Sequence, residues 1–211
     1  MGAIAEAHWL GGGLGNPGPE YVRTRHNVGF AVVDRLAGAA RVRFRPGRSR
    51  TERAWLDLSG VPILLLKPQA FMNLSGPPVA AWLEKLGLSA ARLVVIHDDL
   101  DLPLGRLRVS ARAGPGGHRG VTSIQTVLGT QAFPRVRVGI GRPREGQEAA
   151  DRVLEAFAPA ELPVVGAVLE EAAEAVRTLI AHGLARAMNR YNVQVPAGGA
   201  PACGTHPGEG R

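Results

Sequence analysis

The sequence predicts an α/β fold, a single-domain three-layer α/β/α sandwich around a twisted mixed central sheet. Three observations lead there. Continuous apolar runs at 61–66 and 93–96 have the length and composition of strands buried on both faces. Stretches with apolar residues at helical spacing alternate with them, as layers of helix on sheet require. A chain of 211 residues with 45% hydrophobic content can bury one sizeable core.

In chain order, an apolar first strand runs into Gly13-Leu14-Gly15-Asn16-Pro17-Gly18, a Gly/Pro turn that can continue neither strand nor helix. Gly11 and Gly12 cost that strand propensity and packing. Helical spacing follows at 28–36, and alternation at 53–58 reads as a half-exposed strand beside the buried run at 61–66. A helix is expected at 79–86, ahead of the buried strand at 93–96. Alternating stretches at 106–109 and 135–140 predict two more half-exposed strands, with helical spacing at 121–128 between them. The strongest helical pattern covers 162–180, and a further stretch runs over 182–191. The domain is expected to span 1–195, and the Gly/Pro-rich composition of 196–211 predicts a disordered tail.

Charge narrows the class of substrate. The net charge is +7, and of the 25 basic residues only Lys67 and Lys85 are lysine, which leaves 23 arginines. The planar guanidinium suits phosphate and carboxylate bidentately. Between Leu102 and Arg144 there is no acidic residue, yet Arg106, Arg108, Arg112, Arg119, Arg135, Arg137, Arg142 and Arg144 all fall there. A solvated basic surface would account for the total, but an acid-free stretch that also carries a candidate site loop points to a polyanion. No apolar run approaches the roughly 20 residues that span a bilayer, and the N-terminus lacks a signal-like pattern. A soluble, cytoplasmic protein without membrane attachment is the expectation. The one cysteine, Cys203, allows no intrachain disulfide and no cysteine-based metal site.

The segment from Gly13 to Phe30 concentrates polar side chains able to bind, orient and accept protons: Asn16, Tyr21, His26 and Asn27. Its Gly13-x-Gly15-x-x-Gly18 spacing matches the dinucleotide fingerprint only formally. Pro17 and Pro19 hold the chain where a helix should open, so no nucleotide cofactor is expected. The run His97-Asp98-Asp99-Leu100-Asp101 invites a metal, but consecutive strand residues diverge and no second ligand cluster is spaced to complete a site. Neither a metal nor a cofactor is expected. There is no G-x-S-x-G elbow either, which leaves water as the simplest nucleophile.

Four blocks of this chain together resemble the bacterial peptidyl-tRNA hydrolases over about residues 8 to 192. They are Gly13-Leu14-Gly15-Asn16-Pro17-Gly18 with Tyr21 and Thr24-Arg25-His26-Asn27; Lys67-Pro68-Gln69-Ala70-Phe71-Met72-Asn73; His97-Asp98-Asp99-Leu100-Asp101-Leu102-Pro103; and Gly116-Gly117-His118-Arg119-Gly120 with Arg137-Val138-Gly139-Ile140-Gly141. The resemblance implies an esterase that frees a peptide from the 3′ ribose of tRNA, acting on peptidyl-tRNA as a monomer. By position, His26 would deprotonate water, and Asp98 would fix its tautomer and stabilise the imidazolium. Asn16 and Asn73 would hold the peptide and polarise its carbonyl. Tyr21, Phe71 and Arg119 would complete the substrate site, and Arg108 and Arg137 would meet tRNA phosphates. The chain departs from the family pattern at Arg119, where Asn is usual, at Ser110, where a basic residue is usual, and at Gly11-Gly12, where branched apolar residues are usual. The alternative of another class is a non-catalytic RNA-binding splicing cofactor of the same fold, against which the absence of a transit-type N-terminus argues.

Overall fold

A computed structural model describes residues 7–192 of the chain, and the expected tail lies outside them. Seven strands form one sheet: β1 Trp9–Gly13, β2 Arg45–Gly47, β3 Thr51–Leu58, β4 Val61–Pro68, β5 Leu93–Asp99, β6 Leu107–Ser110 and β7 Arg135–Gly139. Six α-helices accompany them: α1 Val28–Ala39, α2 Gly76–Leu86, α3 Arg119–Leu128, α4 Ala149–Leu154, α5 Leu162–His182 and α6 Leu184–Tyr191. The spatial order of the strands is β2-β3-β4-β1-β5-β7-β6. The four central strands are parallel, whereas β2, β3 and β6 pair antiparallel at the two sides, so the sheet is mixed as expected.

Each face of the sheet carries its own apolar layer. On one, Val28, Val32, Val33 and Leu36 of α1 pack with Val168, Leu169, Val176 and Leu179 of α5 and with Ala187 and Tyr191 of α6. On the other, Val79, Trp82 and Leu83 of α2 pack with Val121 and Ile124 of α3 over Leu10, Leu64, Leu66 and Val95. These are the outer layers of the α/β/α sandwich. Among the described residues no helix is long and apolar enough to cross a membrane.

β1 is the centre of the sheet, bonded to β4 on one side and β5 on the other. That double pairing, together with burial of all five residues, offsets the low strand propensity of its glycines. Gly11 is also sterically matched, since a Cβ there would lie 2.7 Å from Leu65 Cδ2. A closer approach occurs where α1 begins. A Cβ on Gly29 would lie 2.4 Å from the carbonyl oxygen of Ile96 and from the amide nitrogen of Leu14, and one on Gly13 would lie 2.5 Å from Gly29 O. Only hydrogen fits at both positions, so the first turn of α1 sits directly on the ends of β1 and β5.

Several expectations need correction. β5 extends through Asp99, past the expected strand at 93–96, so Asp98 lies within the strand, paired with Val138. The alternating run at 135–140 is an interior strand between β5 and β6; only Arg137 of β7 is half-exposed. Arg135 is buried because its guanidinium donates to the carbonyls of Ala113 and Gly114 and lies 5.2 Å from the Phe133 ring. β2 and α4 were not foreseen.

β6 is an edge strand, and among the described residues a side chain meets its outer side. Asn192 accepts from the Val109 amide through Oδ1 and donates to the Val109 carbonyl through Nδ2, both at 2.8 Å.

Candidate active site

Strand order reverses across β1, with β4 on one side and β5 on the other, and ligands of open α/β sheets bind outside the carboxyl ends of strands at such a point. A cavity of about 640 Å³ lies there. Four segments that follow strands meet around it: the loop after β1, the turn after β4, the end of β5, and the Gly-rich loop before α3. α4, with Glu148 before it, closes a further side through Ala149, Ala150, Val153 and Leu154.

His26 sits on a short 3₁₀ turn, Arg25–Asn27, that leads into α1. The close packing at Gly29 brings this turn against β5, and His26 Nδ1 lies 2.8 Å from Asp98 Oδ1. A carboxylate can only accept, so Nδ1 carries the proton and Nε2 becomes the basic atom of a ring that lines the cavity. Asp98 is 2% exposed. Burial alone would raise its pKa, but the attraction and hydrogen bonds of His118 and His26 outweigh it and hold the carboxyl well below the usual carboxylate range.

The same Asp98 oxygen also accepts from His118 Nε2 at 2.9 Å. His118 is the N-cap of α3, and its Nδ1 accepts from the amides of Gly120 and Val121 at 3.1 and 3.3 Å. Those two contacts leave one arrangement: Nδ1 bare, Nε2 protonated, the ring neutral. A third imidazole, His97, packs edge-on to His118 with ring centroids 4.8 Å apart. Burial pushes its pKa well below the ordinary value, and its Nδ1 donates to the Asp98 carbonyl at 2.7 Å.

Asn16 is held on both its backbone and its side chain. Its N–H donates to Asn27 Oδ1 and its carbonyl accepts from Asn27 Nδ2, both at 2.9 Å, while its Oδ1 accepts from the Met72 amide at 2.8 Å. The Asn16 Nδ2 donor is therefore the polar atom left for a ligand. Asn73, exposed Phe71 and exposed Arg119 all line the cavity. Arg137 lines it as well, with its Nε donating to Asp99 Oδ2 at 2.5 Å. Arg108 is exposed on β6, in register with Arg137 but outside the cavity. Tyr21 is half-buried and does not line this cavity; its carbonyl accepts from the Thr24 amide and hydroxyl.

Three contributors escaped the sequence reading: His118 as a second partner of Asp98, the α4 wall, and buried Arg25. Arg25 Nη2 donates to Glu161 Oε2 at 2.6 Å and its guanidinium lies 4.5 Å from the Phe157 ring, while its amide bonds Glu155 O. These contacts tie the His26 turn to the segment after α4.

Among the described residues, one group of three His or carboxylate side chains has ligand atoms within 4.8 Å of one another, and it is His26, Asp98 and His118. His118 has both ring nitrogens engaged, and the 97–101 run does not converge, for Asp101 pairs with Arg142 on the surface. A more open cavity of about 720 Å³ lies on the other side of the Asn16 loop and contains Lys67, already bound to Asp34 and Glu52 at 2.9 and 3.0 Å.

Among the described residues, no serine, threonine or cysteine lines the histidine cavity. An imidazole backed by a buried carboxylate, at the ligand-binding edge of an α/β sheet, is an arrangement suited to general acid–base chemistry. The peptidyl-tRNA hydrolase sequence profile matches residues 12–198. The chain is 48% identical to the peptidyl-tRNA hydrolase of Chloroflexus aggregans over 185 residues, covering 87% of this chain and 98% of that one. It is 47% identical to that of Frankia casuarinae over 184 residues, covering 87% and 93%. The solved structure of peptidyl-tRNA hydrolase from Acinetobacter baumannii superposes with a TM-score of 0.83 at 30% identity, covering 90% of this chain and 96% of that one. The chain belongs to the peptidyl-tRNA hydrolase family.

Proposed function

We propose that the chain hydrolyses the ester between peptide and tRNA 3′ ribose, with His26 as general base. The observation that carries this reading is the 2.8 Å bond from His26 Nδ1 to buried Asp98, which makes Nε2 the basic atom. Water gives a proton to Nε2 as its oxygen bonds to the peptide carbonyl carbon, and Asp98 stabilises the resulting imidazolium. Collapse of the tetrahedral intermediate breaks the bond to the ribose oxygen, and the imidazolium returns its proton to that leaving oxygen. Asn16 Nδ2 and Asn73 are the amide donors suited to the peptide carbonyl. Phe71 offers an apolar surface to the substrate, Arg119 turns to the tRNA acceptor end, and Tyr21 contacts the 3′ end beyond the rim.

Action as a monomer, in the cytoplasm where peptidyl-tRNA arises, belongs to the same reading. The reading as an RNA-binding module without turnover is not favoured, since the relatives named above are hydrolases. The test is release of N-acetyl-amino acid from N-acetyl-aminoacyl-tRNA over many turnovers. Binding without release overturns the proposal.

The two expected phosphate contacts differ in what removing them should do. Exposed Arg108 is free to meet phosphate, and Arg108→Ala should flatten the log–log salt dependence of tRNA binding by about 0.7 to 0.9. Cleavage of a short 3′-end substrate should not change. Arg137→Ala should slow both substrates, because Asp99 then loses its partner at the cavity wall. Binding isotherms over a salt series, with single-turnover rates on both substrates, check the contrast.

A further inference from the structure

Asp98 serves two imidazoles with one oxygen atom, and the two are not equivalent. His26 uses Nδ1 and keeps its other nitrogen for chemistry. His118 has no atom to spare, because the first amides of α3 require its Nδ1 to be an acceptor and so force Nε2–H toward Asp98. Its ring lies 4.9 Å from that of His26, centroid to centroid.

We infer that His118 is a positioning residue for the hydrolysis: as a fixed neutral donor it engages part of the Asp98 charge, and so limits how tightly His26 holds a proton. A base backed by a buried carboxylate gains proton affinity from the negative charge, and too much would leave it protonated at neutral pH. A second donor on the same oxygen spreads the charge and moderates the gain. The inference rests on His26 being the base. Other charged or titratable groups facing His26 are accounted for. Asp99 is paired with Arg137, His97 bonds the Asp98 carbonyl, Arg25 turns to Glu161, and Arg119 and Glu148 stand at the cavity's wall.

The two duties of His118 separate by substitution. Asparagine is a good N-cap but too short to reach Asp98, so His118→Asn keeps the cap and loses the donor. Glutamine is long enough to donate to Asp98 but a poor cap, so His118→Gln does the reverse. The experiment is an NMR titration of the His26 ring in the full chain, beside pH profiles of kcat/KM on N-acetyl-aminoacyl-tRNA. In His118→Asn both the titration midpoint and the acid limb should move up by about 0.5 to 1 pH unit. In His118→Gln both should stay near wild type while thermal stability falls. Unmoved midpoints in His118→Asn, or a larger shift in His118→Gln, overturn the inference. A midpoint that moves while the acid limb does not would show that His118 acts on the His26 ring but refute His26 as the base, and with it the role of His118 in hydrolysis.

Discussion

Replacing His26 with alanine is expected to lower turnover by about 10² to 10⁴-fold, the contribution of a positioned general base, while fold and tRNA binding persist. Deleting one partner of a buried ion usually costs about 3–5 kcal/mol of stability, because it strands the charge. Here Asp98 keeps His118 as a donor, so His26→Ala leaves the carboxylate bonded. Binding should survive as well, since the exposed arginines are untouched. Single-turnover kinetics at saturating enzyme decide, and a rate within about threefold of wild type would refute the assignment. Asp98→Ala should cost less rate, for the imidazole remains, but more stability, for two rings lose their common acceptor.

The largest stability effect is expected at Gly29. Adding one methyl by Gly29→Ala puts carbon 2.4 Å from Ile96 O and Leu14 N, and 2.5 Å from Leu14 O. All three are backbone atoms of the two central strands or of the loop that follows them, so no rotamer change relieves the clash. A cost of about 3 kcal/mol or more is expected, at the upper end for overpacking. For a chain of this size that lowers Tm by roughly 6 to 12 °C. Gly38, near the other end of the same helix, is the control. Nothing lies within 4 Å of its added Cβ, and Gly38→Ala should be neutral or stabilise by up to about 1 kcal/mol through helix propensity. Thermal denaturation of both variants tests the pair. Similar losses at the two positions would mean that close packing on β5 is not what limits residue 29.

The fold was legible because its buried strands and amphipathic helices have strong periods. What escaped has weak local signals. β2 is three residues long and contains Pro46, and α4 is six residues, too short to show a helical period. Arg135 and Arg137 alternate with valines and read alike, yet two loop carbonyls draw one guanidinium inside while Asp99 holds the other at the cavity. His26, Asp98, Asn16 and Asn73 could be named from the four sequence blocks, and the structure brings all four to one cavity. Tyr21 shares the first block but stands apart from that cavity. His118 was in view within its glycines, but its duty depends on a tautomer set by helix amides, and sequence spacing carries no record of that.

The amide of Asn192 bears on how this molecule meets others. A bare strand margin invites any extended chain to continue the sheet, and here that would happen beside the arginine-bearing strand. By answering both the N–H and the C=O of Val109, Asn192 fills the slot an incoming backbone would need. At the opposite margin, β2 is brief and interrupted by proline. Exposed Arg108 thus stands on an edge whose backbone offers little foothold to another extended chain.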